Sequence, residues 1–221
     1  ISGDLNSAIE CHEEALGIRR KLYGLHPTLG QGYNNLCVVY EQKHDYSMAQ
    51  EYARKGLGVK RMMVAHNSNT LVLSLINRAR ILFKYNGSTR ESLRLLDEAY
   101  GIRAEMGVVH HITADVHMHR GSMQLHLEQF ERAANSFANA VRIFEQEKGL
   151  RPRQMAKAWH NWGVALKNLG RLEEAEHRLS KSIRVTEKVA KDNGLRSEDE
   201  DNLRDTLREL RDVKSRIELR Y

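Results

Sequence analysis

Histidines are the residues with the clearest potential for metal chemistry. Of the eleven in the sequence, five fall in one short segment: His110, His111, His117, His119 and His126. Zinc needs three or four ligands that converge on one point. On one helix, His117 and His119 point about 200° apart, and His119 and His126 lie roughly 10 Å apart along the axis. Neither pair can chelate alone, so we expect surface or groove histidines and no metal site.

Paired carboxylates are the second candidate chemistry, as in Glu13-Glu14 and Glu173-Glu174. Both pairs fall on polar helix faces, whereas a general acid needs a pKa shifted by burial or by a like charge. The sequence also has no phosphate-binding glycine loop, no His-Glu-x-x-His string and no Gly-x-Ser-x-Gly string. We therefore expect a protein that is not an enzyme and binds no cofactor.

Composition narrows the class of protein. The 221 residues are 41% hydrophobic, but no apolar run of about 18 residues or secretory signal occurs. Two cysteines, Cys11 and Cys37, are too few for a disulfide scaffold. The 35 Lys and Arg residues are scattered among 29 Asp and Glu residues, so no basic stripe for nucleic acid forms. These features predict a cytoplasmic protein without membrane or nucleic-acid ligands.

The sequence repeats itself, and repeats determine the architecture. Five similar segments begin at Gly3, His44, Gly87, Glu128 and Gly170, with spacings of 41, 43, 41 and 42 residues. One column of small residues holds Ala8, Ala49, Ser92, Ala133 and Ala175. A second column, seven residues later, holds Ala15, Gly56, Ala99, Ala140 and Ser182. Small residues in register in every copy indicate close helix packing at the same place.

A second helical pattern precedes all but the first copy. Apolar residues recur there at steps of three and four, as in Trp159, Trp162, Leu166 and Leu169. The unit is therefore helix, turn, helix. Two linkers match, Gly24-Leu25-His26-Pro27 and Gly149-Leu150-Arg151-Pro152, and their prolines suit the first turn of a helix.

These units resemble tetratricopeptide repeats, and the string YNNLCVVYEQKHDYSMAQEY with the Gly-x-His-Pro linker resembles the kinesin-light-chain subclass. The resemblance implies an all-α, right-handed superhelical solenoid of antiparallel helix pairs, with first helices lining a concave groove. Arg80 departs from the pattern, because it stands in the column of Cys37, Gly121 and Gly163. His44 and Glu128 replace the turn glycine.

We predict a solenoid over residues 1–195, with units at 1–24 (second helix only), 25–66, 67–109, 110–151 and 152–195. Residues 196–221 are predicted to form a C-terminal capping helix, since Leu203, Leu207, Leu210 and Ile217 make one apolar stripe. Because Ile1 lies two residues before a turn, we expect the sequence to be part of a longer protein. The uncovered first unit could also pair with a second copy of the chain.

The resemblance places partner binding in the concave groove. The predicted groove residues are Gln31, Asn34, Val38, Glu41, Gln42, Asn77, Ile81, Lys84, Tyr85, Met118, Ser122, His126, Lys157, His160, Val164, Lys167 and Asn168.

Three types of side chain recur among them. The polar residues at matching places, Asn34, Asn77 and His160, could pair with the backbone of an extended peptide. The aliphatic residues Val38, Ile81 and Val164 would form shallow apolar pockets. The lysines, Lys84, Lys157 and Lys167, favour an acidic ligand.

The resulting hypothesis is a protein–protein interaction scaffold that binds a peptide or helical segment of a partner. One alternative is a regulatory repeat module of a larger protein, whose enzymatic or nucleotide-binding domain lies elsewhere. Another is a solvated concave face without a ligand. The resemblance does not extend to the carboxylate clamp of chaperone-binding relatives. Asn34 and Val38 stand where that clamp would need a lysine and an asparagine, and Asp115 and His119 stand where it would need a lysine and an arginine.

Overall fold

The computed structural model describes residues 2–63, 65, 68–107, 110–147, 150–194 and 196–219, and all regular structure among them is α-helical. The linker residues Val64, His66, Val108, Val109 and Gly149 lie outside the described residues. The helices are α1 (Ser2–Tyr23), α2 (Pro27–Gln42), α3 (Tyr46–Met63), α4 (Asn69–Asn86), α5 (Thr89–Glu105), α6 (His111–His126), α7 (Phe130–Gln146), α8 (Pro152–Asn168), α9 (Leu172–Asn193) and α10 (Ser197–Glu218).

The chain divides into two compact units, each larger than one repeat: unit 1 is Ile1–Val108 and unit 2 is Val109–Tyr221. In the first unit, α2 pairs with α3 and α4 with α5, while α1 packs on α2 and α3 on α4. In the second unit, α6 pairs with α7 and α8 with α9, and α10 packs on both α9 and α8. In each pair, the helix that comes first in the chain is called the first helix here, and α1 has the sequence pattern of a second helix.

Side chains at the helix ends explain where several first helices begin. Pro27 occupies the first turn of α2, and the His26 ring accepts a hydrogen bond from the Thr28 amide at 3.3 Å. Ser68 accepts the Thr70 amide of α4 in the same way at 3.2 Å. His110, predicted as a surface or groove histidine, accepts the Ile112 amide at the start of α6 at 3.2 Å.

The turns within the pairs share one backbone conformation. Gly87 and Gly170 have φ angles of 62° and 75°, in the left-handed region that glycine tolerates best. His44 and Glu128, at the matching positions, also have positive φ angles, 61° and 56°. The turn geometry is thus kept in each pair although the glycine is not.

The columns of small residues are buried in the four helix pairs. Ala49, Ser92, Ala133 and Ala175 are fully buried, as are Ala99, Ala140 and Ser182 in the second column. In the α8–α9 pair, Oγ of Ser182 donates to the Ala156 carbonyl of the first helix at 2.9 Å. A Cβ atom added to Gly163 would lie 2.7 Å from Cγ of Leu179, so glycine is needed where α8 crosses α9.

Among the described helices, none is long and apolar enough to cross a membrane.

Candidate peptide-binding surfaces of the first helices

The first helices of unit 1 present one polar face with two apolar side chains. On α2 this face runs through Gln31, Asn35, Val38 and Gln42, and on α4 through Leu73, Asn77, Arg80 and Lys84; these residues are called the α2–α4 surface. Steps of four, three and four residues keep each set on one side of its helix. Val38 is 39% exposed and Leu73 is 41% exposed, so both can contact a ligand.

A hydrogen bond between buried side chains joins the two helices beneath this surface. Nδ2 of Asn34 donates to Oγ of Ser74 at 2.9 Å, and Oγ of Ser74 donates to the Thr70 carbonyl at 3.0 Å. Asn34 is buried against Gly56 of α3, where an added Cβ would lie 2.6 Å from its Oδ1. The Asn34 amide, predicted to bind a peptide, therefore holds α2 against α4 in this structure.

A charged cluster joins the same helices near their ends. Oε1 of Glu41 accepts a hydrogen bond from Nζ of Lys84 at 2.7 Å and forms an ion pair with Arg80. Burial alone would raise the pKa of Glu41, but the hydrogen bonds from Arg80 and Lys84 outweigh burial and hold the pKa below its usual range. Two cations against one carboxylate leave a net positive charge here.

The structure corrects the predicted register of α4. Burial matches α2 when residues are paired 42 apart: Leu29 with Leu71, Cys37 with Ala79, and Val39 with Ile81. The small residue at this position of α4 is thus Ala79. The prediction that Arg80 stands in the column of Cys37, Gly121 and Gly163 was wrong. The reason is one extra residue before the turn, since Ala79 to Gly87 spans one position more than Cys37 to His44.

Two predicted roles change with this register. Asn77 is half-buried and matches Asn35, so it does not share the position of Asn34. Ile81 is fully buried in a cluster with Cys37, Ala49 and Ala53, and it therefore offers no pocket to a ligand. Leu73 was missed, although pairing the similar strings around Leu29 and Leu71 would have revealed it. Gln31, Gln42 and Tyr85 are exposed as expected of surface residues.

In unit 2, α6 contributes less accessible apolar surface than the sequence suggests. Met118 is half-buried against two core clusters. Ser122 is exposed, and its hydroxyl donates to the Met118 carbonyl at 3.0 Å. His126 is exposed, whereas His117 is buried. Burial and the nearby charges of Arg120 and Arg142 lower the pKa of His117 to about 4.

Three predicted groove residues of α8 contact α10. Lys157 forms an ion pair with Glu198, and Nδ1 of His160 lies 2.9 Å from Oγ1 of Thr206. Nζ of Lys167 donates to Glu209 at 2.6 Å and to Asp212 at 3.0 Å. Burial alone would lower the pKa of Lys167, but these hydrogen bonds raise it overall. The cations expected to attract an acidic ligand are therefore paired within the chain.

The remaining predicted residues of α8 are at least partly exposed, and the two sides of α10 differ in burial. Val164 is half-buried, while Asn168 is exposed and donates to the Val164 carbonyl at 2.9 Å. Asp199, Thr206 and Val213 are buried on one side of α10. The opposite side carries Arg204, Arg208 and Arg211, all exposed.

No metal centre forms in the described part of the chain, where no group of three His, Cys, Asp or Glu side chains could hold an ion. The histidine-rich segment instead serves local structure. The backbone amide of His111 donates to the Glu147 carboxylate at 2.7 Å, which joins the start of α6 to the end of α7.

Comparison with known sequences finds a family match within the α8–α9 pair. The family model described as "Tetratricopeptide repeat" matches residues 156–188. A clustered mitochondria protein homolog of Aspergillus niger is 26% identical over 135 residues, which is 60% of this chain and 11% of that protein. The chain thus spans about a tenth of the length of the curated relatives it matches.

Solved structures show the same fold over nearly the whole chain. BtubC (BKLC) from P. vanneervenii superposes with a TM-score of 0.80 at 16% identity, covering 96% of this chain and 83% of that one. A putative kinesin light chain from Podosopora anserina, with nearly identical TPR-like repeats, has a TM-score of 0.66 at 19% identity, covering 87% and 90%. The predicted fold class is confirmed, and the predicted resemblance to kinesin-light-chain repeats is confirmed at the level of the fold.

Proposed function

Because the chain is a tetratricopeptide-repeat-like protein, we propose that it is a protein-interaction module whose first helices bind a peptide or helical segment of a partner. The observation that carries this proposal is the α2–α4 surface, where amides alternate with exposed Val38 and Leu73. Amide side chains can both donate to and accept from a peptide backbone. Exposed aliphatic side chains beside them can anchor the apolar residues of the same ligand.

A ligand with acidic residues suits this surface. Arg80 and Lys84 share the single carboxylate of Glu41, so their charge is only partly balanced. In unit 2, by contrast, Lys157 and Lys167 already face the acidic residues of α10. The excess charge at α4 would act mainly on association rate and partner choice, and its effect would weaken with salt.

The test compares partners captured by three forms of the chain. One form changes the α2–α4 surface (Val38→Asp, Leu73→Asp and Asn77→Ala), and a matched control changes exposed residues of α3 (Ser47→Ala and Met62→Asp). Circular dichroism must first show equal helicity. We expect a set of proteins that binds the wild-type chain and the control but not the surface variant. If the same proteins bind all three forms, the proposal is wrong.

A second candidate function is a repeat module within a larger regulatory protein. The observation that favours it is the relatives' length, of which this chain matches about a tenth. An antibody against residues 1–221 should then detect an endogenous protein far larger than 25.5 kDa. Fractionation with the same antibody tests the expected cytoplasmic location. An endogenous band near 25.5 kDa would contradict this candidate.

A further inference from the structure

A cavity of about 350 Å³, open to solvent on one side, lies where α1, α2 and α3 meet. We call it the α1–α3 cavity, and its walls are formed by Arg20, Gly24, Leu25, Leu29, Tyr33 and Val59. Among these six residues, Arg20 carries the one charged side chain, and four others have large apolar bodies. The volume lies at the lower end of the usual range for small-molecule sites. The walls suit a small ligand with an apolar body and one anionic group.

The apolar walls are more accessible than the matching residues of the next repeat. Tyr33 is half-buried, whereas Leu75 at the matching position of α4 is fully buried. Val59 is 9% exposed, whereas Ile102 at the matching position of α5 is 2% exposed. Valine is also one methylene smaller than isoleucine, so it fills less of the space between the helices. A ligand can therefore contact apolar side chains here that the next repeat buries completely.

The next repeat also shows how a cation at this place is balanced. In the columns of small residues, α3 follows α1 by 41 residues and α5 follows α3 by 43 residues, so that Arg61 matches Arg20. Nη2 of Arg61 donates to Oε2 of Glu98 on α5 at 2.5 Å. The residue of α3 that matches Glu98 is Lys55. A second cation thus stands where the carboxylate partner of Arg20 would be expected.

Arg20 accordingly has no partner of its own. Its side chain is exposed and makes no hydrogen bond or ion pair with any residue that the structure describes. Nζ of Lys55 pairs instead with Oε1 of Glu51 on the same helix at 2.6 Å. A guanidinium binds a carboxylate through two parallel hydrogen bonds. The anionic group of a ligand would therefore pair with Arg20 as Glu98 pairs with Arg61.

A first helix packed beside α1 would not cover this cation. The next repeat provides the comparison, because α2 is the first helix that pairs with α3. The side chain of Arg61 nevertheless remains 48% exposed, and its partner Glu98 comes from the following second helix. The walls of the α1–α3 cavity likewise come from α1 and from the two helices that follow it.

We propose that the α1–α3 cavity binds a small carboxylic acid with a short apolar chain. The carboxylate pairs with Arg20, and the chain packs against Leu29, Val59 and the ring of Tyr33. A free acid fits better than a protein segment, because the cavity has room for roughly ten non-hydrogen atoms at about 30 Å³ for each water-sized group. The cavity shares no residue with the α2–α4 surface, so this proposal is independent of peptide binding there.

The experiment titrates the full chain with octanoate, a linear acid of suitable size, by isothermal titration calorimetry. Octanamide has the same shape without the charge, and acetate has the charge without the chain. We expect saturable binding of octanoate and an affinity for octanamide that is lower by about threefold or more, because the ion pair is lost. Acetate should bind about tenfold or more weakly than octanoate, because burial of the apolar chain supplies most of the affinity.

Two variants test the pairing with Arg20. Arg20→Gln removes the cation and should lower the affinity for octanoate by about threefold or more. Lys55→Glu places a carboxylate where Glu98 stands in the next repeat, so it should compete for Arg20 and lower the affinity by a similar factor. Lys21→Gln is the matched control, since Lys21 is exposed on α1 outside the cavity, and it should change the affinity by less than about twofold.

Circular dichroism must first show equal helicity in all forms. The proposal is overturned if octanoate shows no saturable binding, if octanamide binds as tightly as octanoate, or if either Arg20→Gln or Lys55→Glu keeps the wild-type affinity. It is also overturned if N-acetylleucine binds more tightly than octanoate, because the cavity then takes the C-terminal residue of a protein chain.

Discussion

Asn34 and Ser74, forty residues apart in the sequence, share a buried hydrogen bond of 2.9 Å between neighbouring first helices. The Asn34 amide, which the sequence predicted to bind a peptide backbone, therefore forms a hydrogen bond within the protein. Asn77, which is half-buried on the α2–α4 surface, remains available for that role.

This contrast predicts effects of different size for two asparagine substitutions. Asn34→Ala should lower the free energy of unfolding by about 1–2 kcal/mol, because a buried hydrogen bond is lost and a small void forms. Asn77→Ala should change it by less than about 0.5 kcal/mol, since the residue is a surface side chain. Urea denaturation followed by circular dichroism measures both values. An equal loss of unfolding free energy in the two variants would contradict the structural role assigned to Asn34.

The left-handed turn residues predict a stabilising substitution. Glu128 has a φ of 56°, which costs a residue with a Cβ roughly 1 kcal/mol relative to glycine. Glu128→Gly should therefore raise the free energy of unfolding by about 1 kcal/mol. Gly170→Ala, at a φ of 75°, is the converse change and should lower it by a similar amount. Thermal melts of both proteins test the pair, and a Glu128→Gly variant that melts below the wild type would refute the idea.

The buried His117 predicts how stability depends on pH. Its folded pKa of about 4 lies below the ordinary histidine value of 6.5, so protonation favours unfolding. The contribution is complete above about pH 6.5 and is lost as the pH falls towards 4. The shift corresponds to roughly 3 kcal/mol.

The measurement is the change in unfolding free energy between pH 7 and pH 4.5 in the wild type and in His117→Gln. We expect a shallower decline in the variant, whatever its stability at pH 7, because one titrating group is removed. His126→Gln, at an exposed position, serves as the control and should follow the wild type. An unchanged slope in His117→Gln would show that His117 does not govern this dependence.

Helix periodicity and the columns of small residues were sufficient to predict the helical pairs, because both follow from local packing rules. The exact register of α4 was not predicted, since the alignment was anchored at the turn residues, and the extra residue lies between Ala79 and Gly87. The contacts of Lys157 and Lys167 with α10 also escaped prediction. A solvated lysine and an ion-paired lysine have the same sequence signature, and only packing distinguishes them.

The arginines on the exposed side of α10 determine whether further helical repeats could be made to pack there. A further helix packed across Arg204, Arg208 and Arg211 would have to remove water from three exposed guanidinium groups, which costs free energy unless that helix supplies acidic partners. Designed repeats added after α10 should therefore be connected to it by the linker alone, without packing against it. They would stack only after those arginines are replaced by small and apolar residues.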